Sequence, residues 1–255
     1  LDRGFDFYLD ETNYKDFNFS DKGRIDKQTC YFAAARWYLD YTTKWLTENS
    51  KKNFFLLVQG FDARCPYAPR EPFASPFTKG LESDIDFSIC YRTSENSSPI
   101  TLEGKKYWQA NRNVSSSTIL FSEEDVQYMS ALYDARVAEA DFYLKKLFQK
   151  ITDLGLEKNT IIILMSEHGE MLGENGDFMG GRSNRGTPYE PALHVPLLIK
   201  HPHIIEPIII DDLVQTVDIM PTLLAMLGVN DPLAHVRDGT TLAFPAGGQL
   251  WLRPL

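Results

Sequence analysis

Residues 159–170 read NTIIILMSEHGE, a β-branched and aliphatic run from Thr160 to Met165 that stops abruptly at Ser166, Glu167, His168 and Gly169. A short continuous apolar run of this kind predicts a strand buried on both faces, as in parallel sheets covered by helices. In open sheets of that type ligands gather beyond the carboxyl ends of the strands, so Glu167 and His168 stand where a site is expected. A carboxylate followed by an imidazole suits a divalent cation, because hard oxygen and neutral nitrogen are ligands of magnesium, manganese, calcium or zinc. Two residues are a sparse signal. The spacing equally allows Glu167 to cap the next turn while His168 makes an ordinary hydrogen bond.

Working outward, Ser122 followed three residues later by Asp125 has the form of a capping box and predicts a long helix that ends at Gly155. From Asp26 to Glu48 a set of mostly apolar residues (Tyr31, Ala34, Ala35, Tyr38, Leu39, Thr42, Trp45, Leu46) recurs at three-and-four spacing, the pattern of an amphipathic helix. NFFLLVQGF, residues 53–61, reads as a second strand buried on both faces, and residues 66 to about 120, rich in Pro, Ser and Asn, as an irregular excursion. Downstream, HVPLLIK (194–200) predicts a short strand. DDLVQTVDIMPTLLAMLGV predicts a helix begun by Asp211 or Asp212, kinked or restarted at Pro221 and closed by Gly228. The tail after about Asp238 lacks periodicity and reads as chain leaving its domain. This alternation of strands and helices implies an α/β class: one domain over residues 1–255 with a mostly parallel sheet sandwiched by helices.

Composition narrows the functional classes. A formal charge of −9 disfavours nucleic-acid binding, which draws its affinity from clustered Lys and Arg. No uncharged apolar run reaches the ~18 residues needed for a membrane span. Cys30, Cys65 and Cys90 are too few for a disulfide framework and form no C-x-x-C pair. Cys65 therefore reads as a loop or core thiol. No signal peptide is visible at the start of the sequence, and N-x-S sequons stand at Asn18, Asn96 and Asn113.

The wider motifs SEHGEMLGENGDFMGG, RGTPYEPALHVPLLIKHP and LVQTVDIMPTLLAMLG, in this order and spacing, closely resemble the sulfatase family of the alkaline-phosphatase superfamily. YDARVAEADFYLKKLFQKITDLGLEKNTIII is similar to the long helix that leads into that family's metal strand. FFLLVQGFDARCPYAP is similar to its strand and D-P-H-x-P turn, and GFDFY to its G-F-D-x-F segment. The resemblance implies hydrolysis of sulfate esters, on a small molecule or a carbohydrate, with a divalent cation: calcium or magnesium first, manganese or zinc as alternatives. It implies Glu167 and His168 at the metal edge, with Arg64 and Arg185 clamping the sulfate oxygens. Location in a secreted, periplasmic or lysosomal compartment is typical of the family. The two apolar strands should then be neighbouring parallel strands, with Arg64 and Glu167 at one edge of the sheet.

Several positions depart from the family pattern. Glu167 stands for Asp, Arg64 for the His of the D-P-H-x-P turn, Arg185 for a substrate-binding Lys, and His194 for the Arg of R-V-P, where a structural hydrogen bond is expected. Arginine offers a planar fork for a tetrahedral oxyanion but cannot act as a general acid. Neither the paired-Asp strand nor the C/S-x-P-x-R motif that matures to formylglycine occurs in this sequence, and no counterpart of the family's C-terminal small sheet is read after Gly239. The chain therefore reads as a partial domain, incomplete at both ends and inactive alone. An exposed sheet edge would be covered by a second copy or by an N-terminal portion. Two alternatives stay open: a phosphodiesterase or phosphonate monoester hydrolase on the same scaffold, and a non-catalytic sulfatase-like protein. His201–His203 read as a surface loop, and Asp62 as an Asx turn, with orientation of Arg64 as the alternative role.

Overall fold

The computed structural model describes residues 35–88, 90–93, 100–112, 118–174, 178–179, 189–202, 207, 209–236, 238–242, 245–246 and 249–250. Through them the chain forms α1 (Ala35–Asn49), α2 (Ala74–Thr78), β1 (Tyr91–Thr93), β2 (Ile100–Leu102), β3 (Lys105–Arg112), β4 (Thr118–Phe121) and α3 (Glu123–Asp153). There follow β5 (Ile162–Met165), β6 (Met171–Leu172), β7 (Phe178–Met179), α4 (Glu190–Leu193), β8 (Leu197–Lys200), α5 (Ile219–Met226), β9 (Pro245–Ala246) and β10 (Gln249–Leu250). These elements fall into two units, Leu1–Leu154 with Glu170–Gly186, and Gly155–Gly169 with Thr187–Leu255.

The first unit is organised by α3. Ser122 Oγ accepts the Asp125 N–H at 3.1 Å and Asp125 Oδ2 accepts the Ser122 N–H at 2.8 Å, so two of the helix's orphan donors are satisfied as the sequence predicts. The helix stops where Gly155 takes φ 69°, a left-handed conformation that costs an L-residue about 1–2 kcal/mol. Its buried residues Met129, Leu132, Arg136, Glu139, Leu147 and Ile151 are spaced to share one stripe, and α1 and α2 both pack on this helix. Strand β3 pairs antiparallel with β1, β2 and β4. The core beneath this sheet joins Phe87, Trp108, Phe121, Met129, Leu132 and Phe178. Phe121 stacks edge-on with both Phe87 and Phe178, at 5.5 and 5.2 Å between ring centroids, and Trp108 Nε1–H donates to the Gly173 carbonyl at 2.8 Å. Burying each such ring contributes about 2 kcal/mol.

In the second unit β5 and β8 form an antiparallel pair, Ile162 facing Lys200 and Met165 facing Leu197. Pro221 sits in the first turn of α5, where a missing N–H costs nothing, and Gly228 closes that helix. Asp218 is buried just before α5: Oδ2 accepts the Gln215 N–H at 2.9 Å and Oδ1 the Thr240 N–H at 2.7 Å. Thr222 Oγ1 donates to the Asp218 carbonyl and accepts the Leu242 N–H at 2.9 Å.

Several expectations are corrected. The excursion at about 66–120 contains the antiparallel sheet β1–β4, whose short strands and polar β3 carry too little alternation to be legible. Residues 53–61 join no ladder among the described residues; Phe54, Leu56 and Val58 are partly covered, while Phe55 and Leu57 are 63% exposed. An apolar run announces burial but cannot say how many layers are present to supply it. Every ladder among the described residues is antiparallel, because such a run also carries no strand direction. The helix at 211–229 begins only with a 3-10 turn at Thr216–Asp218, set by Asp218 bonding back to Gln215. Past Asp238 the chain does not leave: Thr240 and Leu242 bond to Asp218 and Thr222, and β9 and β10 form a short hairpin. Residues 26–34 lie outside the described residues.

Candidate functional site

Two segments carry the candidate residues, one in each unit. In the first, the Arg64 N–H donates to the Phe61 carbonyl at 3.2 Å, closing a turn that leaves Arg64 half-buried. Asp62 opens this turn, and its carboxylate is buried. Oδ1 accepts from Arg136 Nη2 at 3.0 Å and from the Ala35 N–H at 2.7 Å, and Oδ2 accepts from the Tyr38 hydroxyl at 2.6 Å. Arg136 also donates through Nε to the Asp62 carbonyl at 3.0 Å and through Nη1 to Glu139 Oε2 at 2.8 Å. The Tyr38 hydroxyl is pushed far above the usual phenol range by burial first and by the Asp62 charge second, so it remains a donor. Asp62 is thus a buried ion-pair partner and not an Asx cap.

Cys65 is no free thiol. It forms a disulfide with Cys90, with Cα atoms 5.5 Å apart, within the usual span for such bonds. Two residues on, the buried Tyr67 hydroxyl donates to Glu170 Oε1 at 2.9 Å. Burial, and then the Glu170 charge, hold this phenol well above its ordinary value.

In the second unit, Glu167 and His168 follow directly on β5. His168 Nδ1 lies 2.7 Å from the Gly169 carbonyl, and Ser166 Oγ donates to the His168 carbonyl at 2.6 Å. A neutral ring that donates through Nδ1 leaves a lone pair on Nε2, and Nε2 lies 3.6 Å from Glu167 Oε1. Two acceptors at that separation match neighbouring ligands of one cation with bonds of about 2.0–2.4 Å, and a carbonyl partner on the other ring nitrogen is the usual support of a ligating histidine. Glu167 is 57% exposed and His168 31%, so both reach solvent. Gly169 has no room for a side chain: an ideal Cβ would fall 1.9 Å from the Pro191 carbonyl oxygen, and its N–H donates to the Ala192 carbonyl at 2.8 Å. The main chain of α4 therefore presses directly on this segment.

The pair supplies only two donors. Among the described residues there is no group of three or more His, Cys, Asp and Glu side chains placed to hold a metal. Glu167 and His168 fit two adjacent positions of a divalent cation without completing its shell. Arg185 lies outside the described residues, as do Asn18, Asn96, Asn113 and His203. His201 is buried and not a surface-loop residue. His194 is exposed, with Nδ1 4.0 Å from Glu190 Oε1, in place of the structural hydrogen bond expected there. No helix among the described residues is long and apolar enough to cross a membrane.

Sequence reading missed Arg136, Tyr67, Glu170 and the steric role of Gly169. One signal was present for Arg136: together with Glu139 it forms a charged i, i+3 pair at positions that three-and-four spacing assigns to the core stripe of α3.

These features sit in a chain whose residues 2–229 match the sulfatase family model. The chain belongs to the sulfatase family. It is 34% identical over 131 residues to arylsulfatase K of Bos taurus, covering 51% of this chain and 23% of that protein. It is 32% identical over 121 residues to the endo-4-O-sulfatase of Bacteroides thetaiotaomicron, covering 47% and 22%. A solved structure, the phosphonate monoester hydrolase SpPMH from Silicibacter pomeroyi, aligns with a TM-score of 0.43 at 29% identity over 48% of this chain and 22% of that one. The chain thus spans less than a quarter of the length of the relatives it matches.

Proposed function

We propose that the protein of which this sequence forms all or part hydrolyses sulfate esters, transferring the sulfuryl group to water and releasing an alcohol and sulfate. The observation that carries this reading is the convergence of His168 Nε2 and Glu167 Oε1 at the end of β5, in a chain of the sulfatase family. Glu167 and His168 hold part of the metal edge, with calcium or magnesium as the preferred ion, and a cation bound there would offset charge on the sulfate oxygens. Arg64 and Arg185 grip those oxygens through their guanidinium forks. Neither arginine serves as the general acid. The substrate is a small-molecule or carbohydrate sulfate ester.

Residues 1–255 form a single domain in this proposal. The nucleophile motif does not occur in this sequence, so the 255-residue chain alone has no appreciable turnover. Association with a second copy or with an N-terminal portion of the protein would cover a sheet edge left open, and a light-scattering mass reads which occurs.

The test compares nitrophenyl sulfate, bis-nitrophenyl phosphate and a nitrophenyl phosphonate monoester as substrates for the purified whole protein. A kcat/KM at least tenfold higher on the sulfate is expected. A preference for either phosphorus substrate would transfer the site to phosphoryl chemistry, and no turnover of any of them would favour a binding role.

A further inference from the structure

The turn at residues 62–67 is anchored at three points. Asp62 is buried against Arg136, Tyr38 and the Ala35 N–H; Cys65 is bonded covalently to Cys90; and Tyr67 donates to the buried Glu170. Between the first two anchors stand the exposed Ala63 and the half-buried Arg64. Packing alone does not account for this arrangement. Taking charges out of water is costly, and a buried ion pair often stabilises a fold no better than apolar residues of the same volume. Such a pair does fix geometry. Arg136 directs three donors at fixed angles: Nη2 to the Asp62 carboxylate, Nε to the Asp62 main-chain carbonyl, and Nη1 to Glu139. The bond to the carbonyl constrains the peptide plane between Asp62 and Ala63, directly before Arg64.

We propose that Arg136 and Asp62, supported by Tyr38, are positioning residues that orient the Arg64 guanidinium, with the Cys65–Cys90 disulfide holding the other side of the turn. The inference deepens the reading of Arg64 as an oxyanion-holding group and rests on it for its chemical purpose. An arginine that must meet a tetrahedral oxyanion with two parallel donors gains from a fixed backbone, because orientation lost at the turn is magnified along its long side chain. Arg136 and Asp62 touch no substrate in this scheme.

The test uses the full 255-residue chain, with its disulfide kept oxidised, as an isotope-labelled sample for NMR relaxation. Three variants are compared with the parent: Tyr38→Phe, which removes one hydroxyl from Asp62; Arg136→Lys, which keeps the charge but loses the fork; and Arg64→Ala. Tyr38→Phe is mild enough to keep the fold should Arg136→Lys unfold the chain. In the parent, the order parameters of the Ala63 and Arg64 amides should be near the rigid value of about 0.85, falling below about 0.6 in Tyr38→Phe and Arg136→Lys. Amides of the last turns of α3, around Leu147 and Ile151, should not change, which separates local positioning from general destabilisation. Unchanged order at Ala63 and Arg64 in a folded variant overturns the proposal. Inorganic sulfate is then titrated at constant ionic strength against chloride. Both positioning variants should weaken its apparent affinity at least fivefold, and Arg64→Ala should abolish the response. A parent chain that ignores sulfate while the order parameters still fall would sink the oxyanion role of Arg64 and leave the positioning role standing.

Discussion

Replacing Gly169 by Ala probes the contact that holds Glu167 and His168 in place. The added Cβ would lie 1.9 Å from the Pro191 carbonyl oxygen, 2.9 Å from its carbon and 3.2 Å from Ala192 Cα. All three obstacles are main chain, so no side-chain rotation relieves them. Restoring even the 3.0 Å that real Cβ contacts respect requires a displacement of 3.0 − 1.9, or about 1.1 Å, which also breaks the 2.8 Å bond from the Gly169 N–H to the Ala192 carbonyl. Losing that bond costs about 1 kcal/mol and the displaced packing about 1–3 kcal/mol more, for a total of roughly 2–4 kcal/mol. Amide hydrogen exchange at residues 169 and 194 reads this locally, since the Gly169 N–H bonds to the Ala192 carbonyl and the His194 N–H closes α4 on the Glu190 carbonyl. Exchange there should accelerate by roughly 30- to 1,000-fold. Gly155→Ala is the control: its φ of 69° is unfavourable but nothing lies within 4 Å of the new Cβ, so it should cost only about 1–2 kcal/mol, and at the end of α3. Equal exchange rates at residue 169 in the parent and Gly169→Ala would refute the account of that glycine as a steric requirement.

Two further outcomes are expected. Removing the disulfide by Cys65→Ser opens a loop with a sequence separation of 25 and should lower stability by about 3 kcal/mol in denaturant titrations; a loss under 0.5 kcal/mol would show that the Cys65–Cys90 bond does not form. The Tyr38 and Tyr67 hydroxyls are both raised above the ordinary phenol range, so above about pH 10 the unfolded chain releases protons that the folded chain retains, and stability should fall as pH rises. Each tyrosine contributes up to about 1.4 kcal/mol per pH unit in that window. Tyr67→Phe should flatten the slope measured by urea unfolding between pH 9 and 11, and an unaltered slope would contradict the burial of this hydroxyl.

The parts of the fold that sequence made legible are those governed by short-range chemistry. The Ser122 and Asp125 cap, the left-handed stop at Gly155, the strand at 162–165, the strand at 197–200 and the end of α5 at Gly228 each follow from a few neighbouring residues. The direction of the β5–β8 pairing was not legible, because an apolar run specifies burial without specifying its partner. The strands between 91 and 121 escaped notice because β3, KKYWQANR, carries mostly polar side chains and depends on its three partners. Of the proposed site residues, Glu167 and His168 stand out by their place after an apolar run, and Arg64 only through the family resemblance. The Asp62–Arg136 pair and the Cys65–Cys90 bond join residues 74 and 25 positions apart, and nothing local announces either.

In the proposed site Glu167 is the carboxylate ligand, and its exchange for Ala, assayed by steady-state hydrolysis of nitrophenyl sulfate with the whole protein, bears most directly on the proposed function. A cation-holding carboxylate at the end of β5 requires kcat/KM to fall by two or more orders of magnitude, about 3 kcal/mol of lost transition-state stabilisation, while the fold remains intact by circular dichroism. A Glu167→Ala protein that hydrolyses nitrophenyl sulfate at the parent rate would contradict it.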